Sequence, residues 1–191
     1  MIKTKNIPNL LTFSRLLLCP IWLTLFYYNF YYCLLIIIIY SAFSDYLDGF
    51  LARKFNCETI IGKTLDPIAD KIFTCTVLLT FVSDGRVNFI IAAIIIIREI
   101  VISGFREALA NYNKSNILNV TFLSKIKTTS QFIAIFILTL MPLSLEYSFK
   151  INQIGTLILY ISAILTICTG YNYVIKSIIT LKNIEKEKNA N

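Results

Sequence analysis

The chain has 191 residues, 57% of them hydrophobic and 15% charged, with a mean hydropathy of +0.70. That length suits one domain, and that composition is too apolar for an ordinary water-soluble one, so a membrane is its natural solvent. The net charge of +7 does not indicate nucleic acid: the basic residues flank apolar spans, which fits anionic lipid headgroups or a phosphorylated substrate at the inner face.

Six apolar segments follow in chain order, at about 8–28, 31–53, 67–83, 88–109, 124–141 and 153–178. Each is long enough, or nearly so, to cross a hydrocarbon core of about 30 Å as a helix of roughly 20 residues. The predicted fold is an all-α integral membrane protein, a six-transmembrane-helix bundle. A cleaved signal peptide is a poor reading of the first segment, because Arg15 interrupts it and no A-x-A-like site follows. The uncharged run from Leu16 to Ser44 is too long for one helix, and "FYYNFYY" (Phe26 to Tyr32) is read as its turn, with aromatic rings at headgroup depth.

The second turn on that side is "SDGR" (Ser83 to Arg86), where Gly85 supplies backbone freedom, and the third is "PLSLEYSFKIN" from Pro142. The opposite side carries "MIKTK", the stretches Arg53 to Lys63 and Arg106 to Lys127, and the tail "KNIEKEKNAN". With that side cytoplasmic, only Arg86 and Lys150 of the 18 Lys and Arg residues fall in outer loops. The positive-inside rule then places both termini in the cytoplasm. Residues 1–182 are read as the membrane domain and 183–191 as a flexible polar tail. No internal repeat of the kind common in transporters is visible.

The five cysteines show no C-x-x-C spacing and read as buried free thiols. The chain has no histidine, so acid–base chemistry falls to carboxylates, lysines or tyrosines. Four carboxylates stand out. Asp45 and Asp48 lie near the cytoplasmic end of the second segment, and Asp66 and Asp70 open the third. Spacings of three and four put each pair on one helical face, and the up-down path brings both pairs to one depth. Four converging carboxylates repel one another and tend to hold protons. A divalent cation removes that penalty, and oxygen-only ligation fits Mg²⁺ or Mn²⁺, two ions being compatible with four carboxylates and bridging phosphates.

Around them, Gly49 and Ala52 are small enough for a bulky headgroup to approach the helix backbone, Gly62 does likewise at the third segment, and Arg53 is placed to meet a phosphate. Pro67 suits a first helical turn. The bland readings are helix-contact small residues for Gly49 and Ala52 and a positive-inside residue for Arg53.

The stretch Asp45-x-x-Asp48-Gly49-x-x-Ala52-Arg53, then eight residues, then Gly62-x-x-x-Asp66-x-x-x-Asp70 resembles the complete signature of the CDP-alcohol phosphatidyltransferase family. "NIPNLLTFSRLLLCP", "LDPIADK", "REIVISGFRE" and "KIKTTSQ" are similar to the bacterial branch of that family that forms phosphatidylglycerophosphate. The resemblance implies a multi-pass enzyme of the cell inner (cytoplasmic) membrane, with its active site facing the cytoplasm, and a homodimer. It implies transfer of the phosphatidyl group from CDP-diacylglycerol to sn-glycerol 3-phosphate, releasing CMP. By the family pattern Asp45, Asp48, Asp66 and Asp70 are the metal-binding positions, Asp70 is also the base, and Asp45, Gly49, Ala52, Arg53, Gly62 and Asp66 serve the cytidine diphosphate part.

The acceptor needs a second anion site, for which Arg98, Arg106, Lys125 and Lys127 are candidates. Arg98 and Glu99 lie inside a predicted span, where charge is costly unless paired or liganded; a structural salt bridge is their bland reading, and a solvated boundary that of the two lysines. Arg15 either reaches the nucleotide or snorkels to the interface, and Asn9 and Thr12 are candidates to cap or cross-link helices. Competing functions are synthesis of phosphatidylserine, phosphatidylinositol phosphate or cardiolipin on the same aspartates, a divalent-cation transporter, and an inactive scaffold.

Overall fold

The computed structural model describes residues 7–55, 60–112, 122–144 and 146–190, with side chains described for 13–44, 65, 68–112, 122–144 and 146–186. Among the described residues every regular element is helical: α1 (Ile7–Tyr27), α2 (Tyr31–Phe55), α3 (Ile60–Ser83), α4 (Phe89–Ala110), α5 (Phe122–Leu140), a 3₁₀ turn (Met141–Leu143) and α6 (Ser148–Ala190). The chain is all-α and membrane-associated. Among the described residues two stretches, Phe122–Leu143 and Ser148–Lys186, are long and apolar enough to cross a bilayer, and Phe13–Tyr27 and Tyr31–Ser44 are shorter apolar helices.

The helices fall on the apolar segments, with three differences, one being that α6 begins at Ser148 and not near 153, so that the end of the predicted third turn is helix. α3 begins at Ile60 and not near 67, so Pro67 stands inside the helix and not in its first turn. There its missing N–H removes one backbone hydrogen bond. α6 continues past 178 to Ala190, because lysine, glutamate, isoleucine and leucine are all acceptable helix formers and neither proline nor glycine stops them.

The chain divides into two compact units. The first comprises Met1–Val87 with Ile135–Gln153 and the second Asn88–Ala134 with Ile154–Asn191. In the first unit α1 packs against both α2 and α3. The α1–α2 turn lies where expected, with Asn29 at φ 60°, a conformation asparagine tolerates better than most residues, and the Tyr31 hydroxyl donates to Asn29 Oδ1 at 2.6 Å. Gly85, at φ 73°, provides the left-handed residue of the α3–α4 turn.

Trp22 anchors α1 on α3. It is fully buried, meets Phe73 and Phe81 edge-on at 5.9 and 6.4 Å between ring centroids, and its indole N–H donates to Thr80 Oγ1 at 3.0 Å. Thr80→Val keeps the shape and removes the acceptor, leaving a buried donor unmatched. We expect it to lower unfolding free energy by about 1–3 kcal/mol, read as a shift in the denaturation midpoint of the purified protein.

Arg86, at the end of the predicted outer turn, is buried. Its Nε donates to Asp84 Oδ2 at 2.5 Å and its Nη1 to the Leu138 carbonyl at 3.1 Å. Phe26, Tyr31 and Phe81 present their rings 5.7, 5.6 and 5.5 Å from its Cζ, so the cation is held by a carboxylate and three aromatic faces. Arg15 is likewise fully buried, which corrects the snorkelling alternative. Asn9 and Thr12 lie outside the described side chains.

Cys19, Cys33, Cys75 and Cys168 are free thiols as expected, yet only Cys19 is buried; Cys33 and Cys168 are exposed. An apolar helix surface in contact with lipid has the same composition as one in contact with protein, so hydropathy cannot separate them. Cys57 lies outside the described residues.

Candidate active site

The first unit carries the carboxylates. Asp45 and Asp48 belong to α2, and Asp66 and Asp70 to α3. α2 ends at Phe55 and α3 begins at Ile60, so Asp45 and Asp70 each stand ten residues from the connection, and Asp48 and Asp66 seven and six. At about 1.5 Å per residue those offsets are about 15 Å and about 10 Å along the two helices. The two pairs are therefore matched in distance from the turn. Asp70 is exposed, while its neighbour Ala69 and Phe73 one turn on are buried and hold this part of α3 in place. The side chains of Asp45, Asp48, Gly49, Ala52, Arg53, Gly62 and Asp66 lie outside the described ones.

The donor chemistry fits a hard divalent cation. Four carboxylates come from two helices, the chain has no histidine, and the described residues contain no group of three or more His, Cys, Asp or Glu elsewhere. Oxygen ligands of this kind suit Mg²⁺ or Mn²⁺.

The second unit gathers charges within its helices. Arg98 and Glu99 lie in the middle of α4, flanked by isoleucines. Arg98 Nη1 donates to Glu99 Oε1 at 3.2 Å, and Lys127 of α5 donates from Nζ to the same oxygen. Arg98 Nη2 reaches Thr169 Oγ1 of α6 at 3.4 Å, and its guanidinium carbon lies 5.8 Å from the centre of the Tyr173 ring. The Lys127 side chain is 1% exposed, against 13% for Arg98 and 16% for Glu99.

Of the four predicted acceptor-site cations, Arg98 and Lys127 are thus brought together through Glu99. Arg106 and Lys125 are exposed. Lys125 and Lys127 are two residues apart, about 200° around a helix, so one faces outward when the other faces the cluster. A solvated boundary therefore describes Lys125 and not Lys127. Sequence reasoning missed Thr169, Gly170 and Tyr173. The signal available for them was a small and polar pair inside an apolar helix, which marks close helix packing.

A sequence profile described as CDP-alcohol phosphatidyltransferase matches residues 5–168. The chain belongs to the CDP-alcohol phosphatidyltransferase family. Members of this family use divalent metal ions in catalysis. Within it, the chain is 40% identical over 174 residues to the CDP-diacylglycerol–glycerol-3-phosphate 3-phosphatidyltransferase of Wigglesworthia glossinidia brevipalpis, covering 88% of this chain and 92% of that one. It is 37% identical to the proteins of the same name from Rickettsia typhi, with 88% and 95% covered, and Pectobacterium atrosepticum, with 88% and 92% covered. The residues from Asp45 to Arg53 and from Gly62 to Asp70, which resemble the family signature, lie on α2 and α3.

Proposed function

We propose that this chain is a CDP-diacylglycerol–glycerol-3-phosphate 3-phosphatidyltransferase, which moves the phosphatidyl group of CDP-diacylglycerol to sn-glycerol 3-phosphate and releases phosphatidylglycerophosphate and CMP. The observation that carries this acceptor is the shared name of relatives that align with nearly nine-tenths of the chain.

The enzyme is a six-span bundle of the cytoplasmic membrane with both ends and the active site on the cytoplasmic side, residues 1–182 forming the membrane domain and 183–191 a polar tail. Charge distribution supports that orientation. Only Arg86 and Lys150 of the 18 Lys and Arg residues fall in the predicted outer loops, the asymmetry that the positive-inside rule reads. The enzyme acts as a homodimer.

Asp45, Asp48, Asp66 and Asp70 hold two Mg²⁺ or Mn²⁺ ions, with Gly49, Ala52, Arg53 and Gly62 completing the seat for the cytidine diphosphate. Bound divalent ions supply charge neutralisation on the pyrophosphate and on the CMP leaving group. Asp70 accepts the proton of the acceptor hydroxyl as its oxygen attacks phosphorus. The new P–O bond forms in line with the P–O bond that breaks to CMP, and no covalent enzyme intermediate is needed, since no histidine activates a serine or cysteine. Arg98, Arg106, Lys125 and Lys127 provide the positive charge for the acceptor phosphate.

The test is CMP release and lipid-product analysis with CDP-diacylglycerol, Mg²⁺ and a panel of acceptors. Glycerol 3-phosphate is expected to support turnover and yield phosphatidylglycerophosphate. Turnover with serine, inositol phosphate or phosphatidylglycerol in its place would reassign the acceptor, and cation flux into liposomes without CMP release would reassign the class.

A further inference from the structure

Glu99 is the hub of the α4–α6 cluster. One of its oxygens accepts from Arg98 on its own helix and from Lys127 on α5. A lysine that is 1% exposed and engaged in this way cannot turn to a ligand without leaving a largely buried carboxylate short of a cation, which is costly. Arg98 differs from it. Two of its nitrogens are engaged by Glu99 and Thr169, whereas its Nε is buried with no hydrogen-bond partner.

Gly170 shapes the same side chain. A Cβ there would stand 3.1 Å from Arg98 Cγ and 3.7 Å from its Nε, so the stem of Arg98 lies closer to the α6 backbone than a side chain at this position would let it lie without a small shift. Thr169, the preceding residue, holds the other end of the guanidinium. α6 thus both steers and tethers Arg98.

We infer that Glu99, Lys127 and Gly170 are positioning residues of the acceptor site: they aim Arg98 at the phosphate of glycerol 3-phosphate, and Lys127 acts through Glu99 without touching that phosphate. This rests on the acceptor reading proposed above and divides its four cations into roles. Lys127 fixes charge and geometry, while Arg98 contributes donors.

Gly170→Ala is the cleanest probe. Gly170 is helical without a positive φ, so alanine adds no backbone strain and favours the helix; the change falls on Arg98, whose stem must move by a few tenths of an ångström. KM for glycerol 3-phosphate is expected to rise about fivefold, with kcat and KM for CDP-diacylglycerol within about twofold of wild type, the signature of lost ground-state binding. Glu99→Gln is expected to raise the same KM about tenfold. Adding Lys127→Met to Glu99→Gln is expected to cost no more than about a further twofold, because residues acting as one unit do not add.

An unchanged acceptor KM in Gly170→Ala overturns the inference even if the Glu99 variants fail to fold. Multiplying losses in the double variant would make Lys127 an independent phosphate contact and overturn its assigned role. Wild-type enzyme that ignores glycerol 3-phosphate but uses another acceptor would defeat the functional reading itself, a result separate from both.

Discussion

Asp70→Asn is expected to reduce CMP release by at least about 10³-fold while leaving the protein folded. The side chain is asked to accept the proton of the attacking hydroxyl and to help hold a cation, and general-base assistance alone is worth about 10²–10⁴-fold. An amide keeps the shape and cannot perform either task well. Folding is spared for a local reason: Asp70 is exposed, whereas Ala69 and Phe73 carry the buried side of this part of α3. Without cations, thermal stability is therefore expected to stay close to that of wild type. Turnover close to wild type by this variant would remove Asp70 from the base role.

Chelation is expected to have the second large effect. With EDTA in excess, CMP release should fall to background and return on addition of Mg²⁺ or Mn²⁺. A second readout does not depend on turnover. Ions that bind the folded carboxylates and not the unfolded chain stabilise the protein by mass action, about 2.7 kcal/mol at a hundredfold excess over Kd. The unfolding midpoint of wild type should therefore rise with Mg²⁺, and that of Asp70→Asn should rise less. Full activity in the presence of the chelator would end the metal reading, and a Mg²⁺ response undiminished in the variant would remove Asp70 from the ligand set.

The helices were legible because apolar runs are separated by short polar turns with distinctive residues, Asn29 and Gly85 among them. Their ends were less so. The start of α3 combines glycine, lysine, threonine, aspartate and proline, a composition that reads as a connection, and only backbone continuity from Ile60 reveals helix. The far end of α6 reads as a solvated tail because it is charged, yet charge does not oppose helix formation.

The site divides along a similar line. Spacings of three and four residues along α2 and α3 give each aspartate pair a shared helix face from the sequence alone. Spacing was not enough for the second cluster, where Lys127 differs from Lys125 only by rotation about the axis and Glu99 has its meaning through residues 28 and 71 positions from its neighbourhood in sequence. The burial of Arg86 was not legible either, because its three aromatic partners come from α1, the start of α2 and α3.

Trp22 is the only tryptophan in the chain, and it is enclosed between α1 and the Phe73–Phe81 stretch of α3. The tryptophan fluorescence of the protein therefore has a single origin. Its emission colour and its quenching by water-soluble agents report whether α1 and α3 remain joined, and α3 is the helix that bears Asp66 and Asp70. An optical signal thus comes built into the scaffold of the carboxylates, with no label attached.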